Sequence, residues 1–126
     1  MNQMISTQNA PGAIGPYSQA IKAGNMLFIS GQLPLVPETM DFAADDIAGQ
    51  TRQCLLNIMT ILEDSGFNGD DLVKLTVYLK DLNEFVQMNE VYTEFFPEHR
   101  PARAALEVAR LPKDARVEIE AMAVRS

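Results

Sequence analysis

A chain of 126 residues, of which 47% are hydrophobic and 21% charged, is long enough for one globular domain that buries roughly two-thirds of its unfolded surface. Its formal net charge of -7 repels a phosphate backbone and disfavours nucleic acid as a partner. The single cysteine, Cys54, excludes an internal disulfide, and the absence of zinc-ligand spacing among cysteine and histidine implies no metal.

The first part of the chain predicts three short strands. Met4-Ile5-Ser6 is a candidate first strand. Gly24-Asn25 then lies between two β-prone runs, Ser18–Ile21 and Met26–Ile29, which predicts a hairpin. Two stretches rich in proline and glycine predict ordered loops, Pro11 to Pro16 and Gly31 to Pro37.

The middle of the chain predicts a long helix followed by a strand. Apolar residues keep helical spacing from about Asp45 to Ser65, where Gly66 supplies a stop. Strict alternation of apolar and polar residues then predicts a half-buried strand. The apolar face of this strand is predicted to carry Val73, Leu75, Val77 and Leu79, and the other face Lys74, Thr76, Tyr78 and Lys80.

A second helix and two more strands complete the predicted elements. Asp81 and Glu84 resemble a capping box at the start of the helix, which ends near Pro97. Two strands follow, at about Ala102 to Ala109 and Val117 to Val124. One stripe of the helix is predicted to carry Phe85, Met88, Tyr92 and Phe95.

The predicted order is β-β-β-α-β-α-β-β, an α+β domain over residues 1–126 with both helices on one face of the sheet through right-handed crossovers. The other face has no cover. It is predicted to carry Thr76, Tyr78, Glu118, Glu120, Met122 and Val124, a mixture too apolar to be left wet. We therefore expect identical chains to associate through this face.

Arg103 is the best candidate for chemistry. Alternation places Ala104, Leu106 and Val108 on the helix-covered face and Arg103 on the other face, among small neighbours that leave room around a guanidinium. A planar guanidinium binds a carboxylate through two hydrogen bonds, so the sequence predicts a site for a small acid. The alternative is a strand arginine in a structural ion pair.

Glu118 and Glu120 are predicted to lie on the same side as Arg103, where a carboxylate can orient or deprotonate water. The alternative is a pair of solvated strand glutamates. If the last two strands form a simple hairpin about Pro112, Arg103 and Glu118 are offset by roughly 13 Å. They would then meet only around a ligand or across chains.

The remaining candidates are less specific on their own. Tyr17 follows a rigid loop and is a candidate pocket residue or a core aromatic, and Ser30-Gly31 offers a hydroxyl and backbone N–H groups to an anion. His99 is expected to be solvated, and Cys54 to be packed in the core. No nucleophile lies in an evident pair with a base.

Four long motifs together resemble the reactive intermediate deaminase (RidA) family over nearly the whole chain. The family is built from chorismate-mutase-like α+β subunits that form a homotrimer with ligand sites in the clefts between neighbouring chains. This resemblance agrees with the uncovered sheet face. The motifs are Asn9 to Ser18, Ser30-Gly31-Gln32, Asn83 to Phe96, and Pro101-Ala102-Arg103 to Glu120.

The resemblance also implies roles for individual residues. It makes Arg103 the carboxylate-binding arginine and Glu118 the water-positioning glutamate. Many relatives have a cysteine two residues after the arginine, where this chain has Ala105. A thiol-dependent reaction is therefore excluded, while a backbone N–H contact from Ala105 to the substrate is retained. The cleft would be lined by Tyr17, Ser30, Gly31, Phe85 and Asn89.

The activity that the resemblance implies is hydrolysis of 2-imino acids, such as 2-iminopropanoate and 2-iminobutanoate, to 2-oxo acids and ammonia. An imine carbon is already electrophilic, so a bound carboxylate and one positioned water suffice, without a cofactor. Two alternatives stay open: a regulatory module that binds 2-oxo acids without turnover, and a ribonuclease or translation inhibitor. No secretory signal begins the sequence and no run of about 18 apolar residues occurs, so we expect a cytoplasmic protein without a membrane span.

Overall fold

The computed structural model describes residues 1–126, and its elements follow the predicted order β-β-β-α-β-α-β-β. The strands are β1 (Gln3–Ile5), β2 (Ala20–Ala23), β3 (Met26–Gln32), β4 (Leu72–Leu79), β5 (Ala102–Glu107) and β6 (Val117–Val124). The α-helices are α1 (Ile47–Asp64) and α2 (Phe85–Phe95). Short 3-10 helices span Gly69–Asp71, Leu82–Glu84 and Pro112–Asp114.

All six strands form one mixed sheet in the order β1-β2-β3-β6-β4-β5. Only β4 and β5 are parallel neighbours, and every other pair is antiparallel. The last two strands therefore do not form the simple hairpin considered above, because β4 lies between β5 and β6. The helix α2 acts as a crossover that returns the chain parallel to β4, and β6 then pairs with both β3 and β4.

The predicted hairpin and the limits of α1 are confirmed. Gly24, at φ 61°, allows the tight turn between β2 and β3 that pairs Ala23 with Met26. The helix α1 begins after Asp46, whose side chain accepts a hydrogen bond of 2.9 Å from the backbone N–H of Gly49. It ends before Gly66, which adopts φ 84° in the left-handed region.

The two helices cover one face of the sheet and enclose a single hydrophobic core. The inward residues of the central strands are fully buried against α1, and α2 adds Met88 and Tyr92. The chain therefore has the predicted α+β architecture. Fully buried core residues include Leu27, Leu55, Ile58, Leu75, Val77 and Ile119.

The start of β4 differs from the prediction. Leu72 is buried and Val73 is 40% exposed, although alternation from Leu75 predicted that Val73 faces the core. The register against β6 shifts between Leu72 and Lys74, so two residues of β4 span one step of β6. Such a bulge reverses the alternation at that point.

The predicted capping box is also wrong. Asp81 accepts a hydrogen bond of 2.9 Å from the N–H of Asn83 and caps the 3-10 turn that precedes α2. The Glu84 carboxylate instead forms an ion pair of 3.1 Å with Arg116. This arginine therefore ties the start of α2 to the start of β6.

The second face of the sheet has no layer of secondary structure over it. Phe28 is 39% exposed there, and Tyr78 is half-buried on the same face. The polar residues of this face include Thr76, Glu118 and Glu120. Neither helix is long and apolar enough to cross a lipid bilayer. No three His, Cys, Asp or Glu side chains cluster as metal ligands would.

Candidate active site

Arg103 lies on the helix-covered face of the sheet, and the predicted face was wrong. The parallel register pairs Arg103 with Leu75, which is fully buried, and pairs Ala104 with Thr76 of the open face. Because paired residues of neighbouring strands point to the same face, Arg103 points toward α2, while Leu106 is 41% exposed on the other side. The alternation in β5 shows two faces but does not show which one the helices cover.

Three side chains of α2 surround the Arg103 guanidinium. Its Nη1 donates a hydrogen bond of 2.6 Å to Oδ1 of Asn89. Its Cζ lies 4.7 Å from the centre of the Tyr92 ring and 5.4 Å from that of Phe85, both within the range of cation–π attraction. Since Phe85, Asn89 and Tyr92 are spaced at i, i+4 and i+7, they share one face of α2.

Arg103 has no acidic partner. The salt bridges of the chain join Arg52 to Glu94, Lys80 to Asp114 and Arg116 to Glu84. Within one chain, the alternative of a structural ion pair is therefore wrong. A half-buried cation that is oriented by neutral groups remains available to an external anion.

An open cavity of about 340 Å³ adjoins the guanidinium. A second cation, Arg100, lies on its rim, and the buried hydroxyl of Tyr92 has no hydrogen-bond partner. Burial raises the pKa of Tyr92, against the opposing effect of the Arg103 charge, so the hydroxyl stays neutral near pH 7. The lining residues are Asn89, Tyr92, Thr93, Phe96, Arg100, Pro101 and Arg103.

Glu118 lies in a second cluster, where it contacts a glycine of β3. The pairing of β3 with β6 shifts register between Ile29 and Gln32, which produces a bulge at Ser30-Gly31. A Cβ placed on Gly31 would lie only 2.5 Å from Oε2 of Glu118. The glycine is therefore needed for the close approach of this carboxylate to the backbone.

Two effects raise the pKa of the Glu118 carboxyl. Burial is the larger one, and the negative charge of Glu120 on the same strand adds to it. Tyr78 lies opposite Glu118 on β4, and burial together with the charges of both glutamates raises the pKa of its hydroxyl. An acid with a raised pKa is better suited to accept a proton from water than an ordinary glutamate.

Tyr17 lies in a loop that a buried glutamine supports. The Nε2 of Gln19 donates hydrogen bonds to the carbonyls of Pro11 at 2.8 Å and Thr7 at 3.0 Å, and its Oε1 accepts one from the N–H of Thr7 at 2.6 Å. Tyr17 itself is 52% exposed, so it is not a core aromatic. It lines a small cavity together with Gly31.

The other predicted residues have structural surroundings of their own, some beside these two clusters and some away from them. The Ser30 hydroxyl donates a hydrogen bond of 2.6 Å to the carbonyl of Ser18, so it supports the loop that carries Tyr17. Ala105 is half-buried against the core. Cys54 is fully buried, as predicted, and burial raises the pKa of its thiol. His99 is not freely solvated, because its Nε2 lies 2.7 Å from the carbonyl oxygen of Leu72.

The two clusters lie on opposite faces of one sheet. Arg103 is level with Leu75 of β4 and Glu118 with Tyr78, so they are separated by three residues along the strands and by two strand spacings. The Cα atoms of Arg103 and Glu118 are therefore about 14 Å apart, and their side chains lie on opposite sides of the sheet. Within one chain, the prediction that both face the same side is therefore wrong, and no small molecule contacts both.

Sequence reasoning missed two residues of the site. Tyr92 was predicted only as part of an apolar stripe, although its spacing from Phe85 and Asn89 already placed it on their helix face. Gln19 lies directly after the Tyr17-Ser18 motif, and no pattern in the sequence distinguishes a buried strand glutamine from a solvated one.

Several known proteins are similar to this chain over nearly its whole length. The family described as Endoribonuclease L-PSP matches residues 7–125. A RutC family protein of Pyrococcus horikoshii is 58% identical over 125 residues, which are 99% of each chain. The 2-iminobutanoate/2-iminopropanoate deaminase of Escherichia coli is 52% identical over 128 residues, again 99% of each chain. The crystal structure of E. coli TdcF with bound serine has a TM-score of 0.94 at 48% identity, and covers 98% of this chain and 99% of that one.

Proposed function

This chain belongs to the reactive intermediate deaminase (RidA) family, and we propose that it is an enzyme that hydrolyses 2-imino acids to 2-oxo acids and ammonia. The proposed substrates are 2-iminopropanoate and 2-iminobutanoate, which the name of the 52% identical E. coli deaminase specifies for that protein. The observation that carries the proposal is Arg103, a guanidinium with no acidic partner that Asn89 and two aromatic rings hold at an open cavity.

In the proposed reaction, Arg103 binds the substrate carboxylate through its planar guanidinium. Glu118 accepts a proton from a water molecule, whose oxygen forms a bond with the imine carbon while the electron pair of the C=N π bond moves to nitrogen, which takes up a proton from solvent. Protonated Glu118 then donates its proton to the amino group of the resulting carbinolamine. The C–N bond breaks, ammonia leaves, and the hydroxyl loses its proton to solvent as the C=O bond of the 2-oxo acid forms. The reaction requires no cofactor, because water is the nucleophile and the substrate carbon is already electrophilic.

We propose that each complete site forms between two chains of a homotrimer. Arg103 and Glu118 lie about 14 Å apart on opposite faces of the sheet, so one chain alone cannot present both to one small acid. Association through the open face would bring Glu118, Gly31 and Tyr17 of one chain to the Arg103 cavity of another. Exposed Phe28 and half-buried Tyr78 on that face favour association.

A coupled assay tests the proposed activity. A threonine dehydratase generates 2-iminobutanoate, and the release of 2-oxobutanoate is followed with and without this protein. We expect the wild type to accelerate release and Arg103→Ala to abolish both the acceleration and the binding of 2-oxobutanoate. Arg110→Ala is the matched control, because Arg110 is exposed and forms no salt bridge. Full acceleration by folded Arg103→Ala would overturn the assignment.

A second function, binding of 2-oxo acids without turnover, uses the same guanidinium. The raised pKa of Glu118 favours the enzyme over this alternative, because a regulatory module needs no proton acceptor beside its ligand. Calorimetric titration distinguishes the two. Tight binding of 2-oxobutanoate by a wild-type protein that leaves imine hydrolysis at the spontaneous rate would establish the regulatory module.

A further inference from the structure

Met40 adopts a backbone conformation that is unusual for its side chain. It has φ 61°, in the left-handed region that glycine normally occupies. The loop that follows β3 holds it there, because the N–H of Met40 donates 2.7 Å to the carbonyl of Val36 and the N–H of Val36 donates 2.8 Å to that of Asp41. A bulky residue in this region is conformationally unfavourable, and such residues concentrate at functional sites.

Met40 lines the same small cavity as Tyr17 and Gly31. The cavity is also lined by Pro11, Ile14, Leu33 and Leu35. The volume of this cavity is about 40 Å³. This volume exceeds the roughly 10–15 Å³ that one water molecule needs, so the part of the cavity that one chain forms admits a small group.

The cavity lies next to Glu118, at a position where it could hold part of the substrate. Gly31 lies on its border and also contacts the Glu118 carboxylate, where the attacked imine carbon is proposed to lie. The alkyl group on that carbon would then extend past Gly31 into the cavity. An isobutyl group would extend further toward Met40 than a methyl or ethyl group.

We propose that Met40 is a specificity-determining residue that borders the pocket for the substrate side chain and limits the length of the side chain that the pocket accepts. This inference rests on the proposed imine hydrolysis. The flexible thioether fills the space that a longer side chain would need. Each methylene that a hydrophobic pocket accepts or rejects changes kcat/KM by about 10- to 200-fold, so removal of the Met40 side chain has a measurable effect on selectivity.

The test compares 2-iminobutanoate with 2-imino-4-methylpentanoate, both generated by an L-amino acid oxidase from the corresponding amino acids in the presence of catalase. We expect Met40→Gly and Met40→Ala to raise the kcat/KM of the larger imine relative to the smaller one by at least about 10-fold. Glycine is tolerated at φ 61°, so Met40→Gly folds even if Met40→Ala is destabilised.

Lys113→Gly is the matched control for a change in the backbone alone. Lys113 also has positive φ, at 57°, but it is exposed and lies outside the cavity, so its substitution leaves the ratio of the two substrates unchanged. An unchanged ratio in folded Met40→Gly that still hydrolyses 2-iminobutanoate would overturn this inference and leave the proposed function intact. Failure of the wild type to accelerate hydrolysis of either imine would overturn the proposed function itself.

Discussion

Oδ1 of Asn89 accepts a hydrogen bond of 2.6 Å from Nη1 of Arg103, and this contact fixes the guanidinium at the mouth of its cavity. The resemblance to the RidA family had implied that Asn89 lines the cleft. Asn89 does line the cavity, and its amide oxygen is engaged by the arginine, so we infer that Asn89 acts on the substrate through the orientation of Arg103.

Replacement of Asn89 tests this role. Hydrogen bonds to charged groups contribute about 1.5–3 kcal/mol, so Asn89→Ala is expected to raise KM for 2-iminobutanoate by about 10- to 100-fold with a smaller change in kcat. Asn83→Ala is the control, because Asn83 is an exposed asparagine just before α2. Steady-state kinetics in the dehydratase-coupled assay measures both constants. A KM equal to that of the wild type would contradict the orienting role.

Gly31→Ala is expected to remove activity without unfolding the protein. The added methyl group would lie 2.5 Å from Oε2 of Glu118, and the carboxylate, as the end of a flexible side chain, would move away. We expect kcat to fall by about 100-fold, the range that general acid–base catalysis supplies, with a small change in the melting temperature. Gly69→Ala is the control, since a Cβ at that position would meet only the flexible side chain of Met59, at 3.3 Å, and Gly69 lies outside both clusters. Wild-type kcat in Gly31→Ala would show that the position of Glu118 is unimportant.

The raised pKa of Glu118 predicts the pH dependence of the rate. The proton acceptor must be ionised, so kcat/KM falls as the pH drops through this pKa, at a higher pH than for an ordinary glutamate. Glu120→Gln removes one of the two causes, lowers the pKa of Glu118, and is expected to move the acid limb to lower pH. An acid limb that stays in place in Glu120→Gln would exclude Glu118 as the titrating group.

The raised pKa of Glu118 makes the protein less stable as the pH rises, although the rate increases over the same range. Because the folded state binds this proton more tightly than the unfolded state, the contribution of Glu118 to the free energy of unfolding is present at low pH. It is lost as the pH rises through the folded-state pKa. Chemical denaturation of Glu118→Gln across the same pH range should therefore show a smaller loss of stability with rising pH than the wild type.

The name of the matching family makes RNA cleavage a necessary control. The net charge of -7 disfavours binding to a phosphate backbone, and the single histidine, His99, is bonded to the carbonyl of Leu72. We expect highly purified protein to leave RNA intact. If RNA is degraded and Arg103→Ala or Glu118→Gln removes that activity, the proposal of an imine hydrolase without a nucleic-acid partner is wrong.

Local patterns predicted the elements of this fold well, because capping, turns and periodicity depend on neighbouring residues. Asp46 and Gly66 limit α1, and Gly24 forms its turn, as their local chemistry requires. The errors concern contacts distant in sequence. The insertion of β6 between β3 and β4, the bulge at Val73 and the face of Arg103 all depend on register between strands, which one strand does not encode.

The same distinction between local patterns and contacts distant in sequence applies to the candidate site. Arg103, Glu118, Gly31 and Tyr17 were identified from motifs, and the parity argument then placed Arg103 and Glu118 on one face. The structure separates them, since β5 turns its arginine toward α2 while β6 turns its glutamate outward. Of the side chains that hold Arg103, the resemblance gave Phe85 and Asn89 as cleft residues, and only Tyr92 had to be inferred from its spacing on α2.

Mixed assemblies of two inactive variants test whether Arg103 of one chain acts with Glu118 of another. Differently tagged Arg103→Ala and Glu118→Gln chains are co-expressed and purified through both tags, and light scattering checks that the mass is three times that of the 13.9 kDa chain. In every mixed ring of three, one site receives an intact Arg103 from one chain and an intact Glu118 from its neighbour. We expect about one-third of the wild-type rate of 2-iminobutanoate hydrolysis per trimer. A rate no higher than that of either variant alone would contradict it.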